Sequence, residues 1–141
     1  MARTEDYRNT QVMTASPMEL IIMLYDECIR ALNKAEDAFE IEGPEYLQEV
    51  NNNLLHAQDI ITELAVSLDM DKGGEIAFNL QRLYEFMVNH LGDANVKKDV
   101  APVIEVRELM KELRETWQQV AKQEPGRNDS PPCAKDILAA G

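Results

Sequence analysis

Few residues in this chain have the types that do chemistry, and their spacing excludes the commonest sites. There are two histidines, His56 and His90, and two cysteines, Cys28 and Cys133. A di-iron centre in a helical bundle takes a Glu-x-x-His repeat from each of two helices. Asn53 stands three residues before His56 and Met87 three before His90, so the repeat is missing twice. A zinc site needs more closely grouped nitrogen and sulfur ligands than these four scattered residues provide. A histidine that relays phosphoryl groups would have a lysine and a glycine shortly after it. His56 is followed by Ala-Gln-Asp and His90 by Leu-Gly-Asp. The serines are equally unpromising. Ser16 suits a helix cap, Ser67 a helix end, and Ser130 lies in a broken tail; none has a base near it in sequence. Gly73-Gly74 is a lone pair rather than a phosphate-binding loop. The chain reads as a binding protein with no catalytic residue, no metal and no cofactor. His56 is expected to be a half-exposed helix residue. His90 is expected to sit near the C-terminal end of its helix, where positive charge is favoured.

Composition narrows the partners. The chain has 141 residues, the length of one ordinary domain, and 45% of them are hydrophobic. Its formal charge is -12, which repels phosphate backbones and anionic lipid. Neither nucleic acid nor membrane insertion is expected, because no apolar run approaches the roughly 20 residues of a membrane span. The N-terminus, M-A-R-T-E-D-Y-R, lacks the apolar stretch of a secretion signal, so a cytoplasmic protein is expected. In that compartment the cysteines stay reduced, and their spacing carries no disulfide framework. Acids concentrate in the first half: 17–42 holds seven acids and two bases, 43–72 six and one, and 96–125 six of each. That field suits either a solvated face or a binding role.

The residues that remain must be positioned by helices. Helix formers dominate, and no run alternates Val, Ile and Thr. Thr14-Ala-Ser-Pro-Met-Glu opens the first helix with a capping box: Ser16 as cap, Pro17 at the first position, Glu19 three residues on. Leu20, Leu24, Ala31, Ala35 and Ala38 then fall on one line, with Ile21, Cys28, Ile29, Leu32 and Phe39 beside it. This helix should run from Pro17 to about Ile41 and stop at Gly43-Pro44. The second should run from about Glu45 to Leu68 on a stripe of Leu47, Val50, Leu54, Ala57, Ile61, Leu64 and Leu68. The third should run from about Gly74 to Leu91, with Ile76, Leu80, Leu83, Tyr84, Met87 and Leu91 on one side. The loop 69–74 precedes it and Gly92-Asp93-Ala94-Asn95 ends it. The fourth should start after Asp99 with Pro102 in its first turn, carry Val103, Val106, Leu109, Met110, Leu113, Trp117 and Val120, and fade near Gln123.

Short links between helices force antiparallel neighbours. The expected fold is therefore all-α, an antiparallel up-down-up-down four-helix bundle with a short N-terminal segment packed on it. Residues 1–124 would form the domain, with 1–15 a polar lead-in anchored by Tyr7, Val12 and Met13. Residues 125–141 hold three prolines and two glycines and read as a flexible tail. Tyr7, Tyr25, Tyr46 and Tyr84 suit places where one end is buried and the other wet. Met13, Met18, Met23, Met87 and Met110 fit either plain core or an adaptable surface for a partner helix.

Several blocks, in order, carry a family resemblance. They are Thr14-Ala15-Ser16-Pro17 with Leu20-Ile21 and Met23-Leu24-Tyr25-Asp26; Ile60-Ile61-Thr62-Glu63-Leu64 with Ser67-Leu68-Asp69; and Gly73-Gly74-Glu75-Ile76-Ala77 with Asn79-Leu80 and Leu83-Tyr84. Ala94-Asn95 and Leu113-Arg114-Glu115-Thr116-Trp117 complete the set. From Tyr7 to about Trp117 the chain resembles the flagellin-specific export chaperones, the FliS family. The resemblance implies a helical bundle that binds the C-terminal segment of flagellin, prevents premature polymerisation and delivers flagellin to the export gate of the flagellar type III apparatus. The residues expected to contact the partner are Tyr7, Val12, Met13, Met18, Leu20, Met23, Leu24, Tyr25, Ile60, Leu64, Leu83, Tyr84 and Met87. The resemblance also implies an N-terminal segment that lies over part of the binding groove as a lid. The competing readings are a bundle that acts as adaptor or anti-assembly protein for another helical partner, and an enzyme or metalloprotein bundle, which the missing ligand patterns oppose.

Overall fold

The computed structural model describes residues 16–123. The lead-in 1–15, with its expected lid role and the anchors Tyr7, Val12 and Met13, lies outside the described residues, as do the expected tail and Cys133. Four helices follow one another: α1 (Pro17–Ala38), α2 (Tyr46–Val66), α3 (Met70–Lys97) and α4 (Ala101–Gln123). There is no strand among the described residues. Each helix packs on its neighbours in a closed ring, α1 on α2, α2 on α3, α3 on α4 and α4 back on α1. The four-helix bundle expected from the periodicity is the fold observed.

α1 starts as the residues dictate. Ser16 is the N-cap in extended conformation, and its hydroxyl accepts from the Glu19 amide at 3.2 Å. The other half of the expected box differs: the Glu19 carboxylate accepts the Ser16 hydroxyl proton at 3.1 Å instead of reaching the Ser16 amide. The cap satisfies one of the orphan amides of the first turn, so Ser16→Ala is expected to cost about 0.5 to 2 kcal/mol. A urea midpoint equal to wild type would show that the cap carries no stability.

α1 ends at Ala38, slightly before the expected Ile41, with the Phe39 amide bonded to Ala35 and Glu36 carbonyls. Phe39 then meets Tyr46 edge to face, ring centroids 6.3 Å apart. Leu47, expected on the buried stripe, is 61% exposed in the first turn of α2, where burial begins only at Val50.

α3 departs most from expectation, at both ends. It starts at Met70 because Asp69, read as part of a loop, is an N-cap whose carboxylate accepts from the Lys72 amide at 3.0 Å. A single capped turn leads to Gly74, whose φ of 56° and ψ of -131° kink the helix. Such angles are strained for any residue with a Cβ. The straight run after the kink begins where the sequence reading placed the whole helix. At the other end, Gly92 does not stop the helix. It faces α2, where a Cβ would stand 3.5 Å from the Gln58 side chain, and the helix continues to Lys97. It stops at Lys98, which is left-handed and donates from Nζ to the Asn95 carbonyl and side-chain oxygens at 2.6 Å each. His90 is therefore in mid-helix, not at an end. It bonds Glu105 of α4 at 2.8 Å and stacks on Phe86. α4 begins as expected, with Asp99 accepting from the Ala101 amide at 3.1 Å.

The core runs through the middle of the ring. Its largest fully buried side chains are Trp117, Tyr25, Tyr84, Leu32 and Leu54. Burial of each large apolar side chain stabilises by roughly 1.5 to 3 kcal/mol. Polar clasps fix the seams around it. Arg114 pairs with Asp26, and Arg107 with Glu36, between α4 and α1. His56 meets Glu27 at 3.0 Å between α2 and α1, and Gln58 donates to the Val88 carbonyl at 2.9 Å between α2 and α3. The hydrogen bonds to Glu36 and Asp26 raise the pKa of Arg107 and Arg114, so both stay charged. Part of the acidic excess of α1 is thus neutralised by α4.

Candidate functional site

Side chains at the edge of a helix stripe are too small or too polar to close a seam fully, and between α2 and α3 they leave a groove. Ile61, Thr62, Ala65 and Val66 form the α2 wall; Gln81, Tyr84, Glu85, Val88 and Asn89 form the α3 wall. Its volume is about 370 Å³, within the range of pockets that take sizeable ligands. Apolar groups supply most of the lining, and the one charged lining residue is an acid, Glu85. α2 contains no lysine or arginine at all. Val66 is 80% exposed at one end of the groove, and Met70 and Leu55 on the flanking elements are also exposed. The site is thus a largely apolar furrow in an acidic field. Among the described residues no group of three His, Cys, Asp or Glu could hold a metal ion. No helix among them is long and apolar enough to cross a membrane.

The groove is backed by a buried polar chain. Trp117 donates from Nε1 to the Tyr25 hydroxyl oxygen at 3.0 Å, and the Tyr25 and Tyr84 hydroxyls meet at 2.5 Å. The three residues come from α4, α1 and α3, and all are within 2% of complete burial. No buried side-chain nitrogen or oxygen among the described residues lacks a partner. Burial pushes the Tyr25 hydroxyl up from 10.0 to about 12, against the lowering effect of its bonds to Tyr84 and Trp117. Burial likewise raises Tyr84, and the neighbouring Tyr25 raises it further. The Cys28 thiol, packed against the Ala57 carbonyl at 3.9 Å, is pushed from 9.0 to about 12 by burial and Glu27. A thiol so protonated is inert. These groups keep in the folded state protons that the unfolded chain gives up. Their contribution is therefore whole below about pH 9 and is lost as the pH rises toward 12. The urea midpoint should fall between about pH 8 and pH 11. A midpoint that is flat across this range would contradict the burial of these hydroxyl and thiol groups.

The residues expected to meet a partner are divided by the fold. Tyr25, Ile60, Leu64, Tyr84 and Met87 are buried core residues. Met18, Leu20, Met23, Leu24 and Leu83 are half-buried, the first four along α1 and Leu83 on α3. Of the members of the set among the described residues, only Tyr84 lines the α2–α3 groove. His56, expected to be half-exposed, has a side chain 52% exposed. The groove residues Thr62, Val66, Gln81, Glu85, Val88 and Asn89 were not singled out as a site. The one signal among them is apolar character beside, not on, the periodic stripe at Val66 and Val88; the polar Thr62, Gln81, Glu85 and Asn89 carry none. A second exposed strip lies on α3, where Arg82 stands over Phe78 at 5.8 Å and Phe86 stacks on His90 at 4.8 Å.

Comparison with known proteins gives this geometry a family. The sequence model of the family described as Flagellar protein FliS matches residues 1–124. The flagellar secretion chaperone FliS of Salmonella typhimurium is 39% identical over 111 residues, covering 78% of this chain and 80% of that protein. That of Bacillus subtilis is 32% identical over 118 residues, covering 84% of this chain and 85% of the relative. That of Vibrio cholerae is 35% identical over 117 residues, covering 79% and 80%. A match across the whole bundle, with several relatives above 30% identity, places the chain: it belongs to the FliS family of flagellar secretion chaperones.

Proposed function

We propose that this chaperone binds the C-terminal segment of flagellin in the cytoplasm, keeps it from polymerising early, and hands it to the export gate of the flagellar type III apparatus. The observation that carries the reading is the α2–α3 groove, apolar along its floor and with an acid as its one charged lining residue. Such a surface suits an extended or helical peptide that buries alternate apolar side chains and needs no reaction. A segment disordered before assembly loses entropy on binding, and burial along a furrow offsets that loss. Tyr7, Val12 and Met13 would lie over part of this surface before the segment arrives, and Met18, Leu20, Met23 and Leu24 would extend the contact along α1. The names of the relatives support a role in flagellar secretion. The test is calorimetric titration of the protein with intact flagellin and with flagellin lacking its C-terminal segment. Heat of binding is expected from the first and none from the second. Equal binding of both, or of neither, would remove flagellin's C-terminal segment as the ligand and leave an adaptor for another helical partner.

A further inference from the structure

We propose that the Tyr25 hydroxyl, buried on the far side of the core, is the positioning group for the α2–α3 groove. It holds the Tyr84 ring at the depth that keeps the groove open. The proposal rests on the groove being the binding surface inferred above, and it deepens that reading by naming a residue that acts on the groove without touching its occupant.

Tyr84 faces two ways. Its ring forms part of the groove wall, and its hydroxyl reaches across the diagonal of the bundle to Tyr25 at 2.5 Å. α1 and α3 are not neighbours in the helix ring, so this contact spans the core. The Tyr25 oxygen is the hub of the chain, because it also accepts the Trp117 N–H at 3.0 Å. Remove it and two buried polar groups, the Trp117 N–H and the Tyr84 hydroxyl, lose their partner at once. A buried hydroxyl left unpaired is costly, and the cost is relieved if the group moves toward water. For Tyr84 the adjacent space is the groove. Its ring would shift into the furrow and narrow it. Removing the Tyr84 hydroxyl as well abolishes the reason to move, so the second substitution should undo the first. A purely structural role predicts the opposite, a double variant no better than the worse single one.

The experiment uses the full chain as wild type, Tyr25→Phe, Tyr84→Phe and the double variant, with Val106→Ala as a control for lost core packing on α4. Each is titrated with the flagellin C-terminal peptide by calorimetry and with the neutral apolar dye N-phenyl-1-naphthylamine by fluorescence. Circular dichroism and urea unfolding confirm that each variant is folded. Tyr25→Phe is expected to weaken binding on the order of tenfold, since it leaves a buried hydroxyl unpaired beside the site. The double variant is expected to recover most of that loss, and Val106→Ala to bind as wild type. If the dye binds with this pattern and the peptide does not bind at all, flagellin fails as ligand while the positioning role stands. The proposal is overturned if Tyr25→Phe binds every probe as tightly as wild type, if the double variant is no better than Tyr25→Phe, or if neither probe binds wild type.

Discussion

Replacing Trp117 by alanine is expected to destabilise the bundle by about 3 to 5 kcal/mol, the usual cost of a large aromatic-to-alanine change in a core. Trp117 is the sole tryptophan, 2% exposed, on the buried side of α4. Two losses combine. The indole volume becomes a cavity between α4 and its neighbours, which a close-packed interior does not refill. The N–H donor to Tyr25 also disappears, although the Tyr25 hydroxyl keeps Tyr84 as a partner. A domain of this size has a total stability of roughly 5 to 15 kcal/mol, so this single change removes a large fraction of it. Trp117→Phe removes the donor but keeps an aromatic ring and leaves a smaller cavity, so a loss below that of the alanine variant, about 1 to 3 kcal/mol, is expected. Urea unfolding followed by circular dichroism measures both. A Trp117→Ala midpoint close to wild type would mean that the ring is not packed as described.

The second large effect concerns binding. Thr62→Arg places a long cationic side chain on the wall of the α2–α3 groove, at a position that is exposed and outside the core. Surface changes of this kind leave stability within about 0.5 kcal/mol. The furrow would nevertheless be blocked along its length. Affinity for the flagellin C-terminal peptide is expected to fall on the order of 100-fold, as when the central contact of an interface is lost. Thr116→Arg, on the exposed face of α4, is the matched control and should bind as wild type. Equal affinities for wild type and Thr62→Arg would place the peptide elsewhere on the bundle.

How far these features were legible in the sequence differs between core and groove. Periodicity read the core well, because burial follows the 3.6-residue repeat: Val50, Leu54, Ala57, Ile61 and Leu64 are all buried. Caps were legible where the residue types were unambiguous, as at Ser16 and Asp99, and missed where Asp69 stood among other turn residues. Gly92 misled because glycine is a helix stop only when its backbone turns left-handed. Here it is helical and α3 runs on past it, while Lys98 makes the left-handed stop. The groove was the least legible feature. A groove forms where two stripes meet at their edges, so its residues are those the stripe does not claim, such as Thr62, Val66 and Gln81. Which edges meet depends on helix order and rotation, and a single helix does not encode either. Tyr84 was picked out for its amphipathic ring. The structure gives that ring its meaning by pairing its hydroxyl with Tyr25 from the opposite helix.

The measurement that bears most directly on the groove as the flagellin site is methyl nuclear magnetic resonance of valine-labelled protein titrated with the flagellin C-terminal peptide. Val66 and Val88 line the groove, whereas Val103 and Val106 are buried in α4. The expected result is a saturable shift of the Val66 and Val88 methyl signals while those of Val103 and Val106 stay in place. A peptide that binds and leaves Val66 and Val88 unmoved, or that does not bind, would contradict it.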